Sequence, residues 1–387
     1  MRSVLALLAA ALPLLAACQP DIVQLEGPTM GSSYHISYVR TTGSPDPQTI
    51  QAMIQHQLAA LDIAISTYRD DSELARFNAA AAPVCRPMPP MALELARDAL
   101  HLAADSEGAY DVTLLPVLDA WQFGPQAARA RTQTDPTATT SASSTMTVNG
   151  LLDTPAGASP DTAQAPSAST LTRLRNRIGM QHLHIAGDRL CKDAPITVEF
   201  NSIAAGYIID RLAEQFNARG IHDYLLEVTG EIRAAGQKPD GQPWRIAIEA
   251  PLDDRREAQR IITLHQEAIS TSGDYRNYRE VHGRRYSHLI DPRTLAPIAH
   301  QLASATVIAP SAMQADGLST LLMVLGPDHG YDYAVRHRLS ALLVSRTPNG
   351  FHSRTTPAFD QRFAPDHAAQ TTSVTPHRGP ARANGES

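Results

Sequence analysis

Three segments of the chain carry side chains whose types and spacing could do chemistry. In Met313-Gln314-Ala315-Asp316-Gly317-Leu318-Ser319-Thr320, a carboxylate and a hydroxyl stand one helical turn apart. On a helix, Asp316 and Thr320 would share a face. Two such oxygens suit a hard cation such as Mg²⁺, completed by waters and substrate phosphate oxygens. The same pattern also describes an Asp favoured near a helix start with an exposed Thr beside it. In Tyr286-Ser287-His288-Leu289-Ile290-Asp291-Pro292-Arg293-Thr294, His288 lies in a short apolar run that ends at a turn. Its imidazole could accept a proton near pH 7, or serve as a satisfied structural residue. In Glu199-Phe200-Asn201-Ser202-Ile203-Ala204-Ala205-Gly206-Tyr207, a strand runs through small residues into a helix. Backbone amides at such a helix start can hold phosphate without net positive charge. Tight packing of a helix on a sheet calls for the same small residues, and the segment matches neither glycine-loop pattern for nucleotides.

Four further segments carry flat or flexible apolar side chains among polar ones: Gly27 to Tyr34, Ser66 to Leu74, Gly108 to Thr113, and Trp121 to Gly124. Met30, Tyr68, Tyr110 and Trp121 could stack on a flat heteroaromatic ligand, or be core. Thr271-Ser272-Gly273-Asp274-Tyr275 is polar, turn-forming and rich in hydrogen-bond donors.

The elements that must position these groups read as α+β. Strand-like runs fall at 22–25, 33–39, 224–228, 244–248, 261–264, 304–308 and 341–345. Helical periodicity marks 47–65, 91–104, 202–218, 312–325 and 329–337. Strands and helices do not alternate strictly, which argues against a doubly wound parallel sheet.

The chain has 387 residues, 43% hydrophobic and 19% charged, with a formal charge of −6. That composition excludes a multi-span membrane protein and a wholly disordered chain. The acidic balance offers no basic field for a polyphosphate backbone, so no nucleic-acid partner is expected. Any phosphate must be held locally, by a metal, amides or a few placed cations.

Met1-Arg2-Ser3 is a short cationic start, followed by an apolar or small-residue stretch from Val4 to Ala17. It falls short of the roughly 20 residues of a membrane-spanning helix and fits a secretory signal over 1–17. Leu15-Ala16-Ala17-Cys18 matches a bacterial lipobox, so Cys18 is expected to be lipidated and to anchor the protein at a bacterial membrane, facing the periplasm. Cys85 and Cys191 would then lie in an oxidising compartment, where a disulfide is permitted. From about 125 to 172 the chain is rich in Ser, Thr, Ala and Pro, and is read as a disordered insertion. The tail, 364–387, is read likewise. One catalytic domain is therefore expected over 18–363.

Together and in this order, the motif segments resemble the ApbE family, the FAD:protein FMN transferases. The resemblance rests on Thr29-Met30-Gly31, Ser66-Thr67-Tyr68, Ser72-Glu73-Leu74, Gly108-Ala109-Tyr110-Asp111, Trp121-Gln122-Phe123-Gly124, Glu199 to Asp210, Thr271-Ser272-Gly273, Ser287 to Thr294 and Ala315-Asp316. It implies a single T-fold-like α+β domain with a mixed sheet and packed helices. It also implies a Mg²⁺-dependent transfer of FMN from FAD to a Thr or Ser hydroxyl of an acceptor protein, releasing AMP. By position, the resemblance assigns the metal to Asp316, Thr320 and the backbone carbonyl of Ser202. It assigns FAD contacts to Met30, Tyr68, Ala109, Tyr110, Asp111, Glu199, Ala205 and Ile290, and the base to His288. The implied acceptor is a flavin-bearing subunit of an electron-transfer complex. The chain departs from the family pattern at Glu199 (usually Asp), Asn201 and Ser202 (two glycines), Ala205 (commonly Lys) and Leu295 (Gly). A FAD-carrying lipoprotein and a metal-dependent FAD hydrolase are the competing readings.

Overall fold

The computed structural model describes residues 21–126, 165–253, 255–275, 277–281 and 284–363. The expected signal, the lipidation site Cys18, most of the insertion and the tail lie outside the described residues.

Strands β1 (Asp21–Thr29) and β2 (Ser32–Arg40) form a hairpin. Its two-residue turn places Met30 and Gly31 at φ 49° and 75°, the left-handed pair that a tight hairpin demands. Helix α1 (Pro47–Ile65) starts at Asp46, whose carboxylate accepts the Thr49 N–H, and buries Ile50, Ile54, Leu58, Leu61 and Ile65 along one face. Ser72 caps α2 (Glu73–Ala79). There follow β3 (Val84–Pro87), α3 (Pro90–Asp105) and α4 (Leu115–Ala120).

Beyond the undescribed stretch comes α5 (Ala168–Arg175), capped by Ser167. Five of its residues, 168–172, lie inside the span expected to be disordered, which is corrected here. Leu171, Leu174 and Ile178 recur at helical spacing and pack with Leu114, Val117 and Leu295. Low complexity averaged over the window hid this local signal.

Strands β4 (Leu183–Ala186) and β5 (Arg189–Lys192) join β3 in a small antiparallel sheet ordered β3-β5-β4. Cys85 and Cys191 face each other directly across it and form a disulfide.

Helix α6 (Ala204–Asn217) leads to β6 (Tyr224–Val228), β7 (Glu231–Ala235), β8 (Arg245–Glu249), β9 (Ala258–Thr263) and β10 (Glu267–Gly273). Two short hairpins follow, β11 (Tyr278–Val281) with β12 (Arg284–Ser287), and β13 (Ile290–Asp291) with β14 (Ala296–Pro297). The chain closes with β15 (Leu302–Ala309), α7 (Ala312–Leu325), α8 (His329–Arg336), β16 (Ser340–Thr347), β17 (Gly350–Thr355) and α9 (Pro357–Phe363).

The main sheet has eight strands in the order β1-β2-β6-β7-β10-β15-β16-β17. Every ladder in it is antiparallel. Among the described residues, the parallel component is an isolated bridge, Leu114 to Thr197. The α+β class therefore holds. Helices α1, α3, α6 and α7 cover one face, and the larger apolar core lies between them and the sheet. Trp244, Ile246, Ile248 and Ile262 of the β8–β9 region, with Phe359 of α9, cover the other face. Strand β15 is therefore buried at every position, as a central strand covered on both sides must be. No described helix is long and apolar enough to cross a membrane.

Candidate functional site

The crossing of α6 and α7 organises the site. Asp210 on α6 accepts from Ser311 Oγ (2.7 Å) and from the amides of Ala312 (3.0 Å) and Met313 (3.1 Å), so one carboxylate satisfies the start of α7. Arg233 of β7 donates to the same carboxylate at 2.7 Å. Gly206 lies where the helices touch: a Cβ there would sit 2.7 Å from Met313 Cα. That close approach brings the Gly206 N–H within 3.0 Å of Asp316 Oδ2. Because this amide points to Asp316, it leaves the Ser202 carbonyl without a backbone donor among the described residues.

Asp316 is only 5% exposed. Burial raises its carboxyl well above the ordinary value, and the nearby Glu231 of β7 adds repulsion that the Gly206 amide only partly opposes. Glu231 is itself raised to about 7 by burial, against the pull of the Thr229 hydroxyl at 2.8 Å. Two repelling carboxylates in a desolvated pocket favour either a proton or a cation between them. One turn on, Thr320 Oγ1 lies 3.0 Å from Ser272 Oγ, which lies 2.8 Å from Ser319 Oγ. Ser319 donates to the Asp316 backbone carbonyl at 2.9 Å. The donor set of carboxylate, hydroxyls and free carbonyl is entirely oxygen, which fits a hard divalent cation. Glu231, Asp210, Ser272 and Ser319 were not anticipated as part of this neighbourhood. Asp210, Ser272 and Ser319 stood in segments already singled out, whereas Glu231 carried no local clue.

Tyr110 is 3% exposed and its hydroxyl meets Ser202 Oγ at 2.6 Å. It is therefore core that orients the Ser202 turn, not a stacking platform. Burial holds its phenol well above the usual range. Trp121 is likewise committed: its indole N–H donates to the Leu295 carbonyl at 2.9 Å and its ring packs on Tyr286. Met30 and Tyr68, by contrast, are 44% and 50% exposed, with rings or thioether open to a ligand. Met30 lies in the β1–β2 turn and Tyr68 just beyond α1, whereas Asp316 lies on α7.

Glu199 is buried and accepts from the Asn201 amide at 2.8 Å. Burial pushes its carboxyl up to about 7, with Asp111 adding repulsion. Asp111 is raised by burial too, although the Thr113 amide and hydroxyl both donate to it. Ala109, Ala205 and Ile290 are buried, so they offer packing or backbone. Four of the amides around 201–206, where the sequence admits a phosphate cradle, have partners within the chain. Asn201 N–H goes to Glu199, Ile203 and Ala204 N–H to the Phe200 carbonyl, and Gly206 N–H to Asp316. Those donors are used internally because the turn into α6 is tight.

His288 follows β12. Its Nδ1 lies 2.8 Å from the Asn277 carbonyl, which also accepts the His288 backbone N–H at 3.3 Å. A carbonyl can only accept, so Nδ1 carries the proton and Nε2 the lone pair. Burial lowers the imidazole below its ordinary value, despite Asp274 nearby. Strand β10 links the two halves of the site: Ser272 touches Thr320, and two residues on Asp274 lies within electrostatic reach of His288. Asp274 is clamped by Arg346 through bonds of 2.8 and 2.7 Å. A cleft of about 550 Å³ opens beside Asp111, Arg175 and Arg293, but Asp316, Thr320 and His288 lie outside its walls.

A family model described as "ApbE family" matches residues 30–343. The chain is 38% identical to the FAD:protein FMN transferase of Vibrio cholerae, covering 93% of this chain and 98% of that protein. It is 35% identical to the FAD:protein FMN transferase of Salmonella typhimurium, over 90% and 91%. The apo flavinyl transferase ApbE of Pseudomonas stutzeri superposes with a TM-score of 0.76 at 43% identity, covering 90% of this chain and 99% of that one. With motif order and fold agreeing over nearly the whole chain, this protein belongs to the ApbE family.

Proposed function

We propose that this protein transfers FMN from FAD to a Thr or Ser hydroxyl of an acceptor protein, releasing AMP, with Mg²⁺ as cofactor. The observation that carries the reading is the buried Asp316, held by the Gly206 amide beside Thr320 and Ser272, in a chain related to FAD:protein FMN transferases.

Asp316, Thr320 and the Ser202 carbonyl would hold the cation. Bound there, Mg²⁺ would offset charge on the diphosphate oxygens of FAD. The chain's own groups supply the rest. Met30 and Tyr68 present exposed apolar surface to the flavin, and Glu199 and Asp111 offer polar contacts. His288 Nε2 takes the proton as the acceptor oxygen bonds to the FMN phosphorus and the bond from that phosphorus to the AMP oxygen breaks. With Nδ1 fixed on the Asn277 carbonyl and burial keeping the ring neutral, His288 is ready as a base at pH 7.

Cys18 is the proposed lipid anchor on the periplasmic side of a bacterial membrane. The Cys85–Cys191 disulfide supports an oxidising location. The proposed acceptor is a flavin-bearing subunit of an electron-transfer complex.

The test is to incubate the protein with FAD, Mg²⁺ and a candidate acceptor, then follow acceptor fluorescence on a denaturing gel and AMP in solution. Transfer yields both. AMP without a fluorescent acceptor makes the protein a hydrolase, and bound intact FAD makes it a carrier. Asp316→Ala should abolish metal-dependent turnover. His288→Ala should cut transfer by about 10²–10⁴-fold while FAD binding persists.

A further inference from the structure

The small sheet β3-β5-β4 carries three soft or borderline ligands in one row. Cys85 stands directly opposite Cys191, and Cys191 directly opposite His184. Directly paired residues of adjacent strands project to the same face, so all three side chains share it. The two sulfurs and an imidazole nitrogen lie within 4.8 Å of one another. Cys85 and His184 are exposed, whereas Cys191 is buried at the floor of the row. No hydrogen-bond partner of the His184 imidazole occurs among the described residues. Arg189 lies on the same face, two residues before Cys191, and donates to the Cys85 carbonyl at 3.4 Å. The alternate residue, Lys192, points to the opposite face, where its ammonium sits over the Phe77 ring, so it does not oppose a cation here.

We propose that this row is a redox-selected zinc site: with the disulfide reduced, Cys85, Cys191 and His184 bind Zn²⁺ and leave a fourth position open to water. Tetrahedral zinc with Zn–S near 2.3 Å and Zn–N near 2.0 Å sets its ligand atoms about 3.5 Å apart. The row therefore needs only small side-chain adjustments, with the strands already in register. The steps balance. A dithiol reductant gives two electrons and two protons to the disulfide, becoming a disulfide itself and leaving Cys85 and Cys191 as thiols. Zn²⁺ then displaces one proton from each thiol and takes the lone pair of neutral His184. A low-molecular-weight disulfide then takes two electrons from the two thiolates and two protons from solvent, leaving as a pair of thiols, which closes the sulfurs on each other and releases the metal. The small sheet is thereby cross-linked in either state, by sulfur–sulfur or by sulfur–metal bonds. This site is separate from the Asp316 oxygen cluster and does not rest on flavin transfer.

The full chain, reduced with a phosphine that is then removed, would be titrated with Co²⁺ as a spectroscopic probe and with Zn²⁺ against a chromophoric chelator. Reduced protein should bind one equivalent with thiolate-to-cobalt charge-transfer absorption, a signature the all-oxygen cluster cannot produce. Oxidised protein should show none. His184→Ala, an exposed change that leaves the fold intact, should weaken Zn²⁺ at least tenfold, and a Cys85→Ser, Cys191→Ser double variant should abolish the charge-transfer band. If reduced wild-type protein shows no thiolate-to-cobalt band, or binds no more Zn²⁺ than the double serine variant, the proposal is overturned.

Discussion

Asn78 pairs with both backbone groups of Val198: its Nδ2 donates to the Val198 carbonyl and its Oδ1 accepts the Val198 N–H, each at 2.8 Å. Lys192, 2% exposed, donates to the Asn78 carbonyl at 2.9 Å and the Ile196 carbonyl at 3.1 Å. On the other side, the Glu199 N–H reaches the Val112 carbonyl at 2.8 Å. The segment that delivers Glu199 and Ser202 to the site is thus held by a side-chain amide on one edge and backbone on the other. Asn78→Ala would leave the Val198 amide and carbonyl unsatisfied. We expect a loss of about 2–4 kcal/mol in denaturant unfolding, with FAD affinity falling as the segment loosens. Unchanged stability would show that solvent replaces the amide freely.

At the helix crossing, Gly206→Ala would force α6 away from the Ala312–Met313 backbone. The cost should be about 2–3 kcal/mol of stability. The same displacement withdraws the amide from Asp316, so Mg²⁺ affinity, measured by calorimetry on the folded variant, should fall as well. A stable variant with unaltered Mg²⁺ binding would contradict the role given to this contact.

Glu199 sets a pH dependence whose direction follows from its raised value of about 7. Between the ordinary carboxyl range and pH 7, the folded chain keeps a proton that the unfolded chain has released. Its stabilising contribution is therefore complete at acid pH and is lost as pH rises through about 7. Relative to Glu199→Gln, wild-type protein without metal should lose about 2–3 kcal/mol between pH 5 and 8. Parallel pH profiles for the two proteins would refute the assignment.

Leu295 adopts φ 60° in the β13–β14 turn yet is 1% exposed and packs with Val117 and Ile290. Substituting glycine would relieve about 1–2 kcal/mol of left-handed strain but empty a buried site worth about 2–5 kcal/mol. Leu295→Gly should therefore destabilise, by about 1–3 kcal/mol in thermal unfolding followed by Trp121 fluorescence. A rise in stability would mean that the strain outweighs the packing.

Much of this was legible along the chain. Helices α1, α3, α6 and α8 announced themselves because each favours one buried face, and apolar recurrence is a local pattern, whereas α7 was legible as an apolar run buried on nearly every side. The order of motifs carried the family, and the one-turn spacing of Asp316 and Thr320 carried the idea of a cation. Strands β3, β4, β5 and β10 were silent, since they are short or mix Ser, Thr, Cys and charge with few apolar residues. The side chains that looked alike in sequence were sorted only by packing. Tyr110 is buried and Trp121 half-buried, and both are hydrogen-bonded, whereas Met30 and Tyr68 face outward. Folding also decided which carboxylates repel, which amides are consumed, and that Cys85 meets Cys191 across a separation of 106 residues. Those outcomes depend on desolvation and on register between distant strands, and both exist only once the sheet and helices have closed around them.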